Sequence, residues 1–211
     1  MTETKNKNEA GKLEIIINAA QKRFAHYGLC KTTMNEIAMD VGMGKASLYY
    51  YFPDKETLFE AVIKKEQHLF IEEMNKFLNS NMEATLQLKK YVKLRSQYFR
   101  HLLNLSKLRS DFFNNGKPIY AKVFESFNNM ELEMVANIIQ HGITTKEFKR
   151  INKHEYAEFL VDLLLGIRMV KLKYKDINEF SEIDYEDLDK KSCKVANMFL
   201  KEIQSEPIKQ V

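Results

Sequence analysis

The chain has 211 residues, 45% of them hydrophobic and 29% charged, which suffices for one substantial core or for a small domain joined to a larger one and excludes a disordered or fibrous protein. Seven glycines and three prolines are too few for the turns of a β-rich fold, so the composition favours helix throughout. A formal net charge of +4 is mildly basic, which permits a nucleic-acid partner without requiring one.

The opening MTETKNKNEAGK is polar, lacks the apolar run of a secretory signal and reads as a loose solvated tail. From 12 to 27 the apolar residues Leu13, Ile16, Ile17, Ala20 and Phe24 recur at helical spacing, and Gly28 ends that first helix. Thr33 followed by Glu36 is a capping box, the threonine oxygen and the glutamate carboxylate each satisfying an amide at a helix start. Ile37, Ala38 and Val41 give a second helix of about two to three turns, closed by a tight turn at Gly42. The third helix begins at about Gly44 or Lys45 and stops before Pro53, because the residue preceding proline is pushed out of helical geometry. Asp54 then caps a fourth helix carrying Leu58, Phe59, Val62 and Ile63.

Longer helical patterns follow over roughly 83–107, 118–141, 153–174 and 185–203. Ser80 with Glu83, and Asn152 with Glu155, repeat the start signature. The most apolar stretch, FLVDLLLGIRMV over 159–170, is broken by Asp162 and Arg168 and is too short to span a bilayer. A cytoplasmic protein with no membrane partner is therefore expected. Cys30 and Cys193 lie far apart and outside any CxxC or Cys/His cluster, so neither a disulfide framework nor a metal site is expected.

The third helix carries the chemistry, in GKASLYYYFPDK. Leu48 and Phe52 stand four apart and complete a core with Phe24, Ile37 and Val41. Lys45 and Tyr49 then share an outward stripe, with Ala46 and Tyr50 beside it and Ser47 and Tyr51 on its other flank. A short helix entering after a tight turn and pinned by an i,i+4 apolar pair is the geometry of a helix-turn-helix, whose second helix lies in the major groove. Exposed phenols suit phosphate oxygens; Lys45 suits guanine acceptors, and Ala46 suits close approach to a thymine methyl. Lys55, at the start of the next helix, suits a phosphate. The competing view makes the tyrosine row a core rim with its hydroxyls in water, and for Tyr50 and Tyr51 singly both views stay open.

The run from Leu13 to about Glu66 resembles the DNA-binding domain of the TetR family of bacterial transcriptional regulators. The matching residues are Ile17, Ala20, Phe24 and Gly28, then TTMNEIAMDVGM, then LYYYFPDKETLF. The resemblance implies an all-α chain with two domains. Residues 9–69 would be the helix-turn-helix domain, three helices plus a connecting fourth, and residues 70–211 a larger antiparallel helical domain for ligand binding and dimerisation. It implies that Lys45, Ala46, Ser47 and Tyr49 face bases or phosphates, with Tyr50 beside them, and that Thr33, Tyr51 and Lys55 serve the phosphate backbone. Gly44 stands where many relatives have serine, and Ala46 and Ser47 where glycine and threonine are common, so no base preference transfers.

The resemblance further implies a homodimeric repressor that binds double-stranded DNA at a palindromic operator and is released by a small-molecule effector, with activation as the alternative and no cofactor. HGITTKEFKRIN looks like the family's loop before its penultimate helix, and the last two helices would pair with their copies. Residues 159–170 suit such a seam or, equally simply, their own subunit's core.

Phe112, Phe113, Tyr120, Phe124, Phe127, Met130 and Met134 suit an adaptable apolar pocket or plain core, and no ligand-binding residue is assigned. Lys89, Lys90, Lys93, Arg95, Arg100, Lys107 and Arg109 form a stretch without acids, while Glu179, Glu182, Asp184, Glu186, Asp187 and Asp189 crowd a later one. These are a solvated basic face and an acidic loop, or an anionic effector is met by one inward arginine. An enzyme is not expected, since GxSxG, HExxH, P-loop and dinucleotide fingerprints are all missing and no two histidines pair at i,i+3 or i,i+4. A helical adaptor binding protein through the tyrosine row remains the other alternative.

Overall fold

The structure, a computed structural model, describes residues 2–78, 81–104, 118–173 and 184–205, with side chains over 9–78, 81–99, 125–170 and 184–205. Eight α-helices account for them: α1 Thr2–Tyr27, α2 Met34–Asp40, α3 Lys45–Tyr51, α4 Lys55–Leu78, α5 Ala84–Asn104, α6 Pro118–Thr144, α7 Lys153–Lys173 and α8 Tyr185–Ile203. The expected all-α class is what forms, and the one β-type contact among the described residues is an isolated bridge between Phe148 and Gln204. No helix among the described residues is long and apolar enough to cross a membrane.

The first helix differs from its sequence reading. Its backbone begins at Thr2, not at 12, so the expected loose tail is helical from residue 2. Once the packed stripe has nucleated α1, each added residue needs only propagation, and Lys, Glu, Asn and Ala without proline do not stop it. At its other end Gly28, at φ 81°, donates its amide to the Phe24 carbonyl at 3.0 Å and turns the buried Leu29 into the core.

The chain divides into two compact units, residues 1–69 with 101–124 and residues 70–100 with 125–211. In the first, Ile16, Ala20, Phe24, Ile37, Leu48, Leu58 and Val62 are wholly buried, and Phe24 meets Phe59 edge-on at 5.8 Å. Here α1, α2, α3 and the start of α4 share one core.

In the second unit, α5 obtains its start from far along the chain. The Glu147 carboxylate accepts the amides of Ala84 at 2.8 Å and Thr85 at 3.0 Å, and those bonds, with burial opposing them, hold its carboxyl below the ordinary range. Ser80, expected to begin this helix with Glu83, lies outside the described residues. Asn152 does cap α7, accepting from the His154 amide at 3.2 Å, and Asp184 caps α8 through the Asp187 amide at 2.9 Å. The loop between α6 and α7 is tied down by Phe148, whose ring lies where a Cβ on Gly142 would be, 2.1 Å away. Two backbone bonds join it to the end of α8: Lys149 N–H to Ile203 at 2.8 Å and Ser205 N–H to Glu147 at 2.9 Å.

Phe70, Tyr98, Phe99 and Phe127 make an aromatic cluster with ring centroids 4.8 to 5.9 Å apart. Phe127 and Met134 are buried core and Met130 is exposed; Phe112 and Phe113, and the side chains of Tyr120 and Phe124, lie outside the described residues. In the basic stretch Lys89, Lys90 and Lys93 face solvent while Arg95 is buried. An inward arginine thus exists, and it is already matched. Arg95 Nε donates to Glu131 at 2.5 Å and Nη2 at 3.3 Å, and the Tyr91 hydroxyl donates to the same carboxylate at 2.8 Å. Burial and then the Glu131 charge push the Tyr91 phenol well up. Burial opposes the Arg95 charge, but Glu131 and Tyr91 outweigh it and raise the guanidinium above its usual value. The acidic stretch also has an inward member, since Ser96 of α5 donates to Asp189 of α8.

Breaking a buried pair by removing one partner costs far more than replacing both. Glu131→Gln is therefore expected to lose about 3–5 kcal/mol in urea unfolding, while Arg95→Met with Glu131→Leu retains most of the wild-type stability.

Candidate nucleic-acid interface

The third helix is seven residues long, too short to persist alone, so its position rests on what holds its ends and underside. Thr33 begins α2 with the expected box. Its hydroxyl oxygen accepts the Glu36 amide at 3.3 Å, and Glu36 accepts the Thr33 amide at 2.8 Å and the Thr33 hydroxyl at 2.7 Å. Arg23, on α1, grips Asp40 through Nε and through Nη2 at 2.8 Å, and reaches Glu36 at 3.5 Å. The first helix is thereby locked to both ends of α2.

Gly42 takes φ 65° and donates to the Met39 carbonyl at 3.1 Å, and Met43 N–H reaches Ala38 at 2.8 Å. This closes α2 in a turn that L side chains resist. Gly44 then starts α3 in extended geometry without a side-chain cap, as expected where serine is replaced.

Underneath, Leu48 is wholly buried and Phe52 is 5% exposed. Phe52 is extended at φ −135° and ψ 110°, the geometry that Pro53 imposes on it. Asp54 caps α4 through the Thr57 amide at 2.6 Å. Lys55 Nζ donates to the Thr32 carbonyl at 2.9 Å, and the buried Thr32 hydroxyl donates to Gly28 at 2.8 Å. The start of α4 is thus tied to the loop that precedes α2.

Facing out are Lys45, Ala46, Ser47, Tyr49 and Tyr50, with Tyr50 76% exposed. Lys45 Nζ stands 5.8 Å from the centre of the Tyr49 ring. The tyrosine row divides. Tyr50 is open to solvent, whereas Tyr51 is half-buried against the core and meets the Tyr50 ring edge-on at 5.2 Å. The core-rim alternative therefore describes Tyr51 and not Tyr50. Thr33 is exposed, but its amide and hydroxyl hydrogens both go to Glu36, and Lys55 is half-buried with Nζ on a carbonyl. Five of the eight sequence-assigned residues thus form one open face on α3, while Thr33, Tyr51 and Lys55 have structural engagements as well. The sequence reading missed Arg23. Asp40 stands 17 positions away from it, and no local pattern signals such a pair.

A seven-residue helix is about 10 Å long, with an exposed cation and two exposed phenols above an apolar underside. That fits a major groove about 12 Å wide and defines a helix-turn-helix protein. The sequence profile described as bacterial regulatory proteins, tetR family, matches residues 16–62, which span this core. The crystal structure of a transcriptional regulator from Cytophaga hutchinsonii ATCC 33406 is 79% identical, covers 92% of this chain and 100% of that one, and superposes with a TM-score of 0.84. SmeT, the repressor of the Stenotrophomonas maltophilia multidrug efflux pump SmeDEF, shares the fold at 15% identity and a TM-score of 0.70, over 92% of this chain and 91% of that one. The HTH-type transcriptional regulator RutR of Escherichia coli (strain K12) is 28% identical over 99 residues, 47% of this chain and 46% of that protein, so the match spans about half of that relative. The chain belongs to the TetR family of bacterial transcriptional regulators, DNA-binding helix-turn-helix proteins and not enzymes.

Three carboxyls of this unit lie below their ordinary range. Glu36 is held there by the Thr33 hydroxyl and amide, Asp40 by Arg23, and Asp54 by the Thr57 amide. Their stabilisation is fully present above the unfolded carboxylate range of about pH 4 and is lost as pH falls through the lower folded values. The urea midpoint of the intact protein is expected to fall on acidification below about pH 4, and less steeply in the Glu36→Gln, Asp40→Asn, Asp54→Asn variant. Thr33→Ala removes the cap and is expected to cost about 1 kcal/mol in the same assay.

Proposed function

We propose that this regulator is a ligand-responsive repressor, which binds a palindromic operator as a homodimer in the cytoplasm and is released when a small molecule occupies its second unit. The observation that carries the DNA-reading part is the open face of α3, with Lys45, Tyr49 and Tyr50 exposed above buried Leu48 and Phe52. Lys45 donates to guanine acceptors, and Ala46 and Ser47 leave room for the helix to approach the base edges. Tyr49 and Tyr50 donate to phosphates. Tyr51, Thr33 and Lys55 hold the reading helix and its neighbours in place, and they meet backbone phosphates at the rim of the contact.

The dimer is supported by an apolar face that the described residues leave open. Phe159, Leu163 and Val170 of α7 are 57%, 37% and 58% exposed, and Met198 of α8 is 62% exposed. The opposite side of α7, with Ala157, Leu160, Val161 and Leu164, is buried. A single helix-turn-helix makes too few contacts to select one site in a genome, and a twofold pair reads two half-sites. Repression is supported by SmeT, a repressor of this fold. An effector then acts by preferring the DNA-free arrangement, and it weakens operator affinity by the ratio of its two affinities.

Selecting bound fragments from random duplex DNA tests this reading. Enrichment of an inverted repeat, with an affinity that falls steeply as salt rises, is the expected result; no enrichment over non-specific duplex would overturn it. On the selected duplex, Lys45→Ala is expected to lose about 1–3 kcal/mol of binding, about ten- to hundredfold, with an unchanged unfolding midpoint. Unchanged affinity would remove Lys45 from the base-reading face.

A further inference from the structure

The outward face of α7 holds more than apolar surface. Phe159, Leu163, Gly166 and Val170 line one groove, and two charges of opposite sign, Asp162 on α7 and Lys191 on α8, line it with them. The spacing of four, three and four residues places the α7 members on a single helix face. Because the other face of α7 is already buried in its own unit, this helix is apolar on two sides. Among the described residues nothing covers the second side, and Phe159, Leu163 and Val170 stay exposed.

Two details bear on what would fit it. Glycine inside a helix costs about 1 kcal/mol relative to alanine, yet a Cβ built on Gly166 would meet nothing within 4 Å. The subunit itself therefore has no steric need for glycine there. A second helix pressed onto the groove does have one, since a missing side chain lets two backbones approach closely. Asp162 is exposed and has no ion-pair partner among the described residues, although it stands in a row that must be desolvated when the groove is covered. Lys191, across the groove, is held on its own helix by Asp187 at 3.0 Å. An apolar groove lined by one acid from α7 and one base from α8 carries the charges to complement a second copy of itself. In a twofold contact residue i of one copy meets residue j of the other, and j meets i.

We propose that Asp162 of each copy pairs with Lys191 of its partner across a twofold seam crossed at Gly166, so that these three residues decide which chains this protein dimerises with. The proposal rests on the homodimer reading above and adds to it a partner code. The groove admits a chain that offers a base against Asp162 and an acid against Lys191, and it repels one that offers the reverse. Apolar surface supplies the attraction, and the charges supply the rejection of wrong partners.

The test uses full-length chains, sedimentation equilibrium for the dimer constant and circular dichroism for helicity. Leu163→Asp first locates the seam, and it is expected to yield helical monomers. Asp162→Lys sets lysine against lysine twice in its own homodimer, and Lys191→Glu sets acid against acid twice. Each is expected to raise the dimer dissociation constant by about tenfold or more without loss of helicity. Mixed in equal amounts, the two variants regain opposite charges at both contacts. They are expected to form heterodimers almost exclusively, with a dissociation constant within about threefold of wild type.

Gly166→Leu is expected to weaken the dimer by about tenfold or more, and Gly166→Ala less. If Leu163→Asp still dimerises, the seam lies elsewhere and the homodimer reading of this face is overturned. If Leu163→Asp is monomeric but the charge variants dimerise like wild type, or their mixture is not restored, the seam stands and the charge code is overturned. Wild-type dimerisation by Gly166→Leu overturns the crossing point.

Discussion

Burial of Leu48 and Phe52 beneath α3 is the constraint on which the DNA-reading end of this protein depends. Seven residues form too few internal hydrogen bonds to offset the cost of nucleating a helix. The segment is helical because one leucine is wholly enclosed among Phe24, Ile37 and Leu58 and because both of its ends are set by neighbours. Gly42 supplies the turn that leads in, and Pro53 imposes the extended exit at Phe52. With the underside fixed, the period of the helix fixes what faces outward. Lys45, Tyr49 and Tyr50 are displayed because the residues between them are anchored.

That arrangement was legible because its signals are local. The Thr33–Glu36 box, the i,i+4 pair of Leu48 and Phe52, the glycine turn and the proline stop all lie within a few residues of what they determine, and each formed as read. What escaped the sequence is long-range. Arg23 with Asp40, Lys55 with the Thr32 carbonyl and Glu147 with the start of α5 join positions 17, 23 and 63 apart, and no periodicity encodes them. The start of α1 escaped for a different reason. Polar composition distinguishes buried from solvated, but not helix from coil, when an existing helix can propagate. The tyrosine row shows the same boundary, since only the packed structure separates the half-buried Tyr51 from the open Tyr50.

In the second unit the structure answers part of the alternatives that the sequence posed. The apolar run in α7 suited an internal core or an external seam; Leu160, Val161 and Leu164 are buried as core, while Phe159, Leu163 and Val170 are exposed. Twelve residues broken only by Asp162, Gly166 and Arg168 conceal two stripes, because so few polar residues carry little angular information to divide them. The inward arginine likewise exists, but Glu131, 36 positions away, satisfies it. A charge count along the chain does not reveal that neutralisation.

The loop between α6 and α7 gathers ties that cross most of the second unit. Glu147 reaches back 63 positions to Ala84, and Lys149 Nζ reaches forward 53 positions to the Glu202 carbonyl. Closing loops of that length costs entropy before any contact repays it. The knot therefore cannot tighten until the last helix has emerged and docked, which makes it a late event in the chain's assembly. A nascent chain stalled before Glu202 would hold that loop without its bonds to α8, and chaperones and proteases would meet it in that state.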